Sequence, residues 1–421
     1  MLHGRTTVSD AHEKTIVICS DGTGNDYTGT ESNVLRLYRL ALKDHPEQVA
    51  CYDPGIGTIP RPTGRTRLGR WARHSSELFF GAGAIENVTE LYAYLMRQYR
   101  PGDRLFLFGF SRGAFTVRAL AGMLHVCGLL REENAHLMGY AAGLYQTSEH
   151  RIKSALRAQG ADHFPKGTRD HASLDRDSSR FKSLLSRPCT IAFMGVFDTV
   201  KAYGWLWPQS FPALRHNSSV DAVRQAVSLD ERRVFFQMTG WGDRREPIGD
   251  GPVPIKEVWF AGDHSDVGGG HPNGNSALAD TALAWMLGEA TAAGFKLRGD
   301  KREEVDRIVA NSRFASSTTG HDLRQKHWYW GIPCPRIELD NSTYPPRRRP
   351  RCWPTARRRP ADHAEDDRVL LHDSVQARSQ ADGRYSSASL LRRGRNSAAQ
   401  RPVNVAYAET IAITNFMDRP E

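Results

Sequence analysis

The chain has no apolar run long enough to cross a bilayer, which excludes a membrane-spanning helix of ordinary length. Residues 1–14 are polar, read as a flexible N-terminus, and carry no apolar stretch of the kind a cleaved signal needs. These absences point to a soluble, cytoplasmic protein whose export, if any, follows a signal-peptide-independent route. Cysteine is sparse: the six residues Cys19, Cys51, Cys127, Cys189, Cys334 and Cys352 show no metal-binding spacing, and Cys19 and Cys127 sit in apolar contexts as expected of buried free thiols. No internal repeat is present, so repeat arrays are excluded. Acidic residues are the minority charge, 47 against 57 Lys and Arg, giving a formal charge of +10 in 421 residues. That excess suits an anionic partner, but much of it lies in the last hundred residues.

What is there is alternation. Strand-like runs (Thr15–Cys19, Val49–Tyr52, Arg104–Phe108, Ile191–Phe197, Arg233–Met238, Glu257–Ala261) alternate with amphipathic helical segments (Asn33–Ala41, Ile85–Tyr99, Ser276–Ala293). This pattern predicts an α/β fold with a mostly parallel sheet and helices on both faces. Residues 131–186 are more polar and interrupt the alternation, as a cap-like insertion would. The expected organisation is a catalytic domain over 15–330 and a C-terminal extension over 331–421. Residues 60–75 form a Gly/Pro/Arg-rich loop. Residues 345–360 are so rich in arginine and proline that no regular element is expected there, and a solvated loop fits them better than a nucleic-acid arm.

The sharpest local signal is Gly109-Phe110-Ser111-Arg112-Gly113, directly after the apolar run Leu105–Phe108 and before a helix over 114–124. A buried strand entering a Gly-x-Ser-x-Gly turn and leaving as a helix is a nucleophile elbow. The serine must sit on a turn tight enough to raise its hydroxyl above the sheet edge, and the flanking glycines let strand and helix pass closely. The helix N-terminus then faces any developing oxyanion.

Further constellations lie on loops after predicted strands, where open α/β sheets place their sites. Asp21-Gly22-Thr23-Gly24-Asn25 follows the first. Its backbone could supply an oxyanion donor near Gly22 beside the N–H of Arg112, or Asp21 could cap its own loop in a plain Asx turn. Tyr52–Thr58 borders the pocket or is a simple glycine-bearing connection. Asp198 closes the strand ending at Phe197, where a carboxylate can orient an imidazole. His264 stands in Gly262–Gly270 with Asp263 and Asp266, which together with Asp21 and Thr23 are pocket-lining candidates. The chain order is Ser111, Asp198, His264, the order of α/β-hydrolases.

Together these blocks resemble the DUF2235 family of α/β-hydrolases, which includes the catalytic domain of class 1 type VI secretion lipase effectors. The resemblance rests on Asp21-Gly22-Thr23-x-Asn25 with Ser32-Asn33-Val34, on Tyr52–Thr58, on Gly102–Ala114, on Gly195–Val200, on Leu229–Arg233, on Val258–Gly270 and on Leu278–Met286. A fainter match at His372-x-Ser374-Val375-x-Ala377-Arg378 suggests that the tail rejoins the pattern. The family implies a serine esterase or phospholipase with Ser111 as nucleophile, His264 as general base and acid, and Asp198 as its orienter. It implies no metal or organic cofactor, a lipid or ester substrate, an anionic membrane surface, no nucleic acid, and a secretion-apparatus or immunity partner. Two rival readings stand beside it. One is a metal-dependent phosphoesterase using Asp21, Asp198, Asp263, His264 and Asp266; the other is a non-catalytic scaffold retaining the fold.

Overall fold

The structure is a computed structural model. It describes residues 13–22, 31–55, 84–146, 176–200, 217–231, 233, 236, 238–241, 254–271, 277–314, 336–340, 347–351, 368–382 and 404–417. Its centre is an eight-stranded sheet built from β1 (Thr15–Ser20), β2 (Gln48–Asp53), β3 (Arg104–Phe110), β4 (Ile191–Phe197), β5 (Val220–Ser228), β6 (Ile255–Phe260), β7 (Arg368–His372) and β8 (Asn404–Ala408). The spatial order is β8-β7-β6-β5-β4-β3-β1-β2, with every neighbouring pair parallel.

Alternating side chains along a strand face opposite sides of a sheet, so a strand covered on both faces must be apolar throughout. β3 meets that requirement. Leu105 and Leu107 join one core cluster, whereas Phe106 and Phe108 join another on the opposite face. The first face is covered by α2 (Ala84–Gln98) and α3 (Arg112–Cys127), the second by α1 (Asn33–Leu40), α6 (Ala277–Ala292) and α7 (Arg302–Ser312). Ser32 caps α1 by accepting from the Leu35 N–H at 3.0 Å. The chain leaves β1 toward β2 on one side and then resumes with β3 on the other. That reversal falls at the carboxyl ends of β1 and β3, the place where ligands bind in open α/β sheets.

Three expectations need correction. The described residues of the run Arg233–Met238, namely 233, 236 and 238, lie in no strand of the sheet, and the next strand is β5. Met238 makes an isolated bridge to Val200. Asp221, Arg224 and Gln225 break the apolar pattern of β5, yet Arg224 is buried in an ion pair with Glu289, and Gln225 donates to the Thr239 carbonyl at 3.0 Å. The tail beyond residue 330 is not wholly an extension, since β7 and β8 complete the central sheet. The arginine-rich run is not wholly irregular either. Arg347–Arg351 pairs antiparallel with Arg336–Asp340, setting Arg347 opposite Asp340 and Arg349 opposite Glu338.

Of the 131–186 segment, the described parts lie toward the far end of α3 from Ser111. They are a 3₁₀ turn over Glu132–Leu137, a helical stretch over 138–146 and α4 (Arg176–Leu185). Lys182 donates to the carbonyl of His125, and Cys127 to that of Ala141. Residues 147–175 lie outside the described residues, as do 1–12 and the loop 60–75.

Candidate active site

Ser111 sits between β3 and α3 with φ 57° and ψ −115°, a conformation rarely adopted by residues with a side chain. Such outliers cost about 1–3 kcal/mol and persist only where the surroundings impose them. The impositions are visible. A Cβ at Gly109 would stand 2.6 Å from the Ala114 Cα, and one at Gly113 would stand 2.1 Å from the Ser20 carbonyl oxygen. The two glycines thus let α3 turn back against β3 and the end of β1. The Ser111 N–H donates to the carbonyl of Phe197 at 3.1 Å. Arg112 is the first residue of α3, and N–H groups of a first turn lie outside the helix's own ladder.

Asp198 follows β4 directly, is fully buried and has φ 40°. Its Oδ1 accepts the Ser228 N–H at 3.0 Å, and its Oδ2 accepts the Ser228 hydroxyl at 2.9 Å. The same Oδ2 lies 2.6 Å from Nδ1 of His264. A carboxylate fixed by three hydrogen bonds leaves its imidazole partner little choice of tautomer: Nδ1 carries the proton and Nε2 is the acceptor.

His264 opens the short helix α5 (His264–Gly268) after β6. Asp263 caps it through a reciprocal pair: its Oδ1 accepts from the Ser265 and Asp266 N–H groups, while Asp266 Oδ2 accepts the Asp263 N–H. The His264 ring is flanked by Phe110, at 4.6 Å between centroids, and by Phe236, at 4.7 Å and a steep angle. Burial holds its pKa below the ordinary imidazole value of 6.5, against the opposing pull of Asp198. The ring is therefore neutral, and able to take a proton, at neutral pH. Burial, with Asp266 and Glu231 adding to it, pushes Asp263 up to about 8.

The structure thus brings Asp198 and His264 into contact and ties Ser111 to the residue preceding Asp198. It gives other roles to the remaining candidates. Asp21 is a loop organiser whose Oδ1 accepts the Gly22 N–H at 2.7 Å and whose Oδ2 accepts hydroxyls from Ser32 and from Tyr52, the latter at 2.8 Å. The Asx-turn reading of Asp21 is the one this geometry matches, and the Gly22 N–H is already engaged and does not point to an oxyanion. Thr23 lies outside the described residues. Asp263 and Asp266 form the cap of α5. With these carboxylates so committed, no group of three or more His, Cys, Asp or Glu among the described residues is placed to hold a metal ion. Ser228, Glu231 and Phe236 were not singled out from the sequence as site residues; the Leu229–Arg233 block was the available signal. A groove of about 470 Å³ lined by Asp103, Arg104 and Asp221 lies at the opposite, amino-terminal edge of the sheet and is not part of this site.

Residues 14–289 match the family model described as T6SS, Phospholipase effector Tle1-like, catalytic domain. The chain belongs to the Tle1-like family. The match runs from β1 to the last turn of α6 and so includes Ser111, Asp198 and His264. The uncharacterized protein YEL023C of Saccharomyces cerevisiae is 34% identical over 234 residues, which are 53% of this chain and 32% of that relative's length. A crystal structure of an uncharacterized protein from Pseudomonas aeruginosa aligns with a TM-score of 0.36 at 20% identity, covering 68% of this chain and 46% of that one. The family match accords with an α/β-hydrolase-like fold, and the chain spans about a third of the length of that yeast relative. No helix among the described residues is long and apolar enough to cross a membrane.

Proposed function

We propose that the protein is a serine hydrolase cleaving carboxylic esters, with phospholipid acyl esters as its substrate class, through Ser111, His264 and Asp198. The observation that carries this reading is the 2.6 Å contact between His264 Nδ1 and Asp198 Oδ2, which joins the carboxyl-end loops of β6 and β4, the latter being the strand beside the elbow strand β3. The Ser111 hydroxyl attacks the ester carbonyl and gives its proton to Nε2 of His264. Asp198 stabilises the resulting imidazolium without taking the proton. The oxyanion is held by the Arg112 N–H at the start of α3. The tetrahedral intermediate collapses as the C–O bond to the alcohol breaks, and His264 protonates the leaving oxygen. Water, deprotonated by His264, then attacks the acyl-Ser111 and releases the carboxylic acid.

The phospholipid substrate, an anionic membrane surface as its setting, and a secretion-apparatus or immunity partner all rest on the family likeness. The test of the reaction is labelling by a fluorophosphonate probe with and without a chelator. Labelling that requires Ser111 and survives chelation supports the triad. Chelator-sensitive hydrolysis that persists in Ser111→Ala overturns it.

A further inference from the structure

The turn after β5 carries a buried charge pair that the mechanism above leaves unused. Glu231 and Arg233 are both largely buried, and Glu231 grips Arg233 three times: Oε1 accepts the backbone N–H at 2.7 Å and Nε–H at 2.9 Å, and Oε2 accepts Nη2–H at 2.6 Å. The same Oε2 accepts the backbone N–H of His264 at 3.3 Å. The Arg233 guanidinium lies 3.8 Å from the centroid of the Phe236 ring, and that ring meets the imidazole of His264. One ion pair therefore reaches His264 twice, at its main chain through Glu231 and at its ring through Phe236. On the Phe110 side, a Cβ at Gly268 would fall 1.8 Å from Phe110 Cε2, so α5 itself presses that ring into place.

A bidentate carboxylate–guanidinium pair is stiff, and a guanidinium stacked on an aromatic face resists sliding. Such a pair is worth little as net stability when buried, but it fixes geometry. We propose that Arg233 is a positioning residue for His264: paired with Glu231 and stacked on Phe236, it holds the imidazole in the orientation from which it takes the Ser111 proton. The inference rests on the triad reading.

The cation has a second effect. The charged or titratable groups facing His264 are Asp198 after β4, Glu231 and Arg233 after β5, and Asp263 and Asp266 beside it on α5. Arg233 favours the neutral ring, whereas Asp198 and Glu231 favour the charged one. Removing the guanidinium therefore raises the imidazole pKa and moves the acid limb of activity to higher pH. A packing role alone would not do so.

The experiment measures the rate of fluorophosphonate labelling against pH in the full chain. Arg233→Met should label about tenfold to hundredfold more slowly at neutral pH, as small misplacements of catalytic groups do, with its acid midpoint shifted upward. Arg233→Lys should restore the midpoint while labelling stays slow, because an ammonium cannot reproduce the planar pair. Phe236→Leu should slow labelling at the parental midpoint. Parental rate in Arg233→Met, or a slowed rate at an unmoved midpoint, overturns the proposal. Should Arg233→Met lose its cooperative melting transition, Phe236→Leu decides: labelling at the parental rate overturns the proposal. Labelling that persists in Ser111→Ala would instead sink the triad reading itself.

Discussion

The backbone N–H of Ser111 donates to the carbonyl of Phe197, the residue immediately before Asp198. The elbow and the acid are thus registered to each other by one rung of main chain at the ends of β3 and β4. The nucleophile cannot rise or tilt without disturbing the carboxylate that orients its base. His264 arrives from β6, two strands beyond β4, and closes the arrangement through Nδ1.

Ser111→Ala should remove ester hydrolysis by several orders of magnitude while the fold persists, as nucleophile knockouts do. The backbone strain at φ 57° adds a second, independent reading. Ser111→Gly should be more stable than Ser111→Ala by about 1 kcal/mol, because glycine adopts such a conformation without the Cβ penalty. Equal melting temperatures of the two variants would show that the elbow is relaxed.

Asp198 and His264 act as one unit, so their losses should not add. Asp198→Asn should lower turnover strongly by favouring the wrong tautomer, and the double variant Asp198→Asn with His264→Ala should be scarcely worse than His264→Ala alone. Steady-state kinetics on a short-chain ester decides. Additive losses would mean that another carboxylate serves the imidazole.

These three residues were legible in the sequence for a physical reason. Ser111 and Asp198 directly follow strands covered on both faces, which announce themselves as nearly unbroken hydrophobic runs, whereas His264 stood out by its glycine-rich loop after Val258–Ala261. β5 was not legible because its polar residues are buried and paired: Arg224 with Glu289, and Gln225 with the Thr239 carbonyl. Missing β5 meant missing Ser228, and it left the Leu229–Arg233 block without a place in the sheet. Asp21 looked like a site residue because short acidic loops and oxyanion loops share their composition. Only the bonds to Gly22, Ser32 and Tyr52 tell them apart.

Asp263 should make stability fall as pH rises. Its pKa is raised to about 8 in the folded chain by burial and by Asp266 and Glu231, above the ordinary value of 3.8. A raised carboxyl pKa contributes stability that is fully present below the unfolded value and is lost progressively as pH climbs toward the folded one. Asp263→Asn removes the titration and retains a competent helix cap. Its melting temperature relative to the parent should therefore improve steadily between about pH 4 and pH 8. A constant offset across that range would refute the assignment.

Gly268→Ala should impair activity without touching any reacting group. The added methyl would have to displace the Phe110 ring, which neighbours Ser111 in sequence and packs against His264 in space. Overpacking of this kind costs about 1–3 kcal/mol and shifts side chains off their rotamers. Turnover should fall with KM little changed, and Phe110→Leu in the same chain should recover part of the lost stability. Parental kinetics in Gly268→Ala would mean that α5 moves aside freely.

The C-terminal strands should prove part of the fold, not an appendage. β7 lies in register with β6, pairing Leu370 with Val258 and Leu371 with Trp259. Val369, Leu371 and Val375 share a buried cluster with Val227, Leu229, Trp259, Ala261 and Leu278. His372, at the carboxyl end of β7, stacks on Phe260 at 4.7 Å and meets Thr410 through Nε2 at 3.2 Å. Ending the chain at residue 330 would expose this cluster beside the loop that carries His264, and would leave β6 as an unpaired edge. Exposed apolar edges of this kind invite association. The truncated chain should therefore lose its cooperative melting transition and most of its hydrolysis, and should aggregate. Excision of 336–351 with a short glycine–serine bridge should be tolerated, because those two strands pair with each other and not with the central sheet. Thermal melts and light scattering on the two deletions separate the cases. A truncated chain that melts and turns over like the full one would show that β7 and β8 only decorate a core already complete at β6.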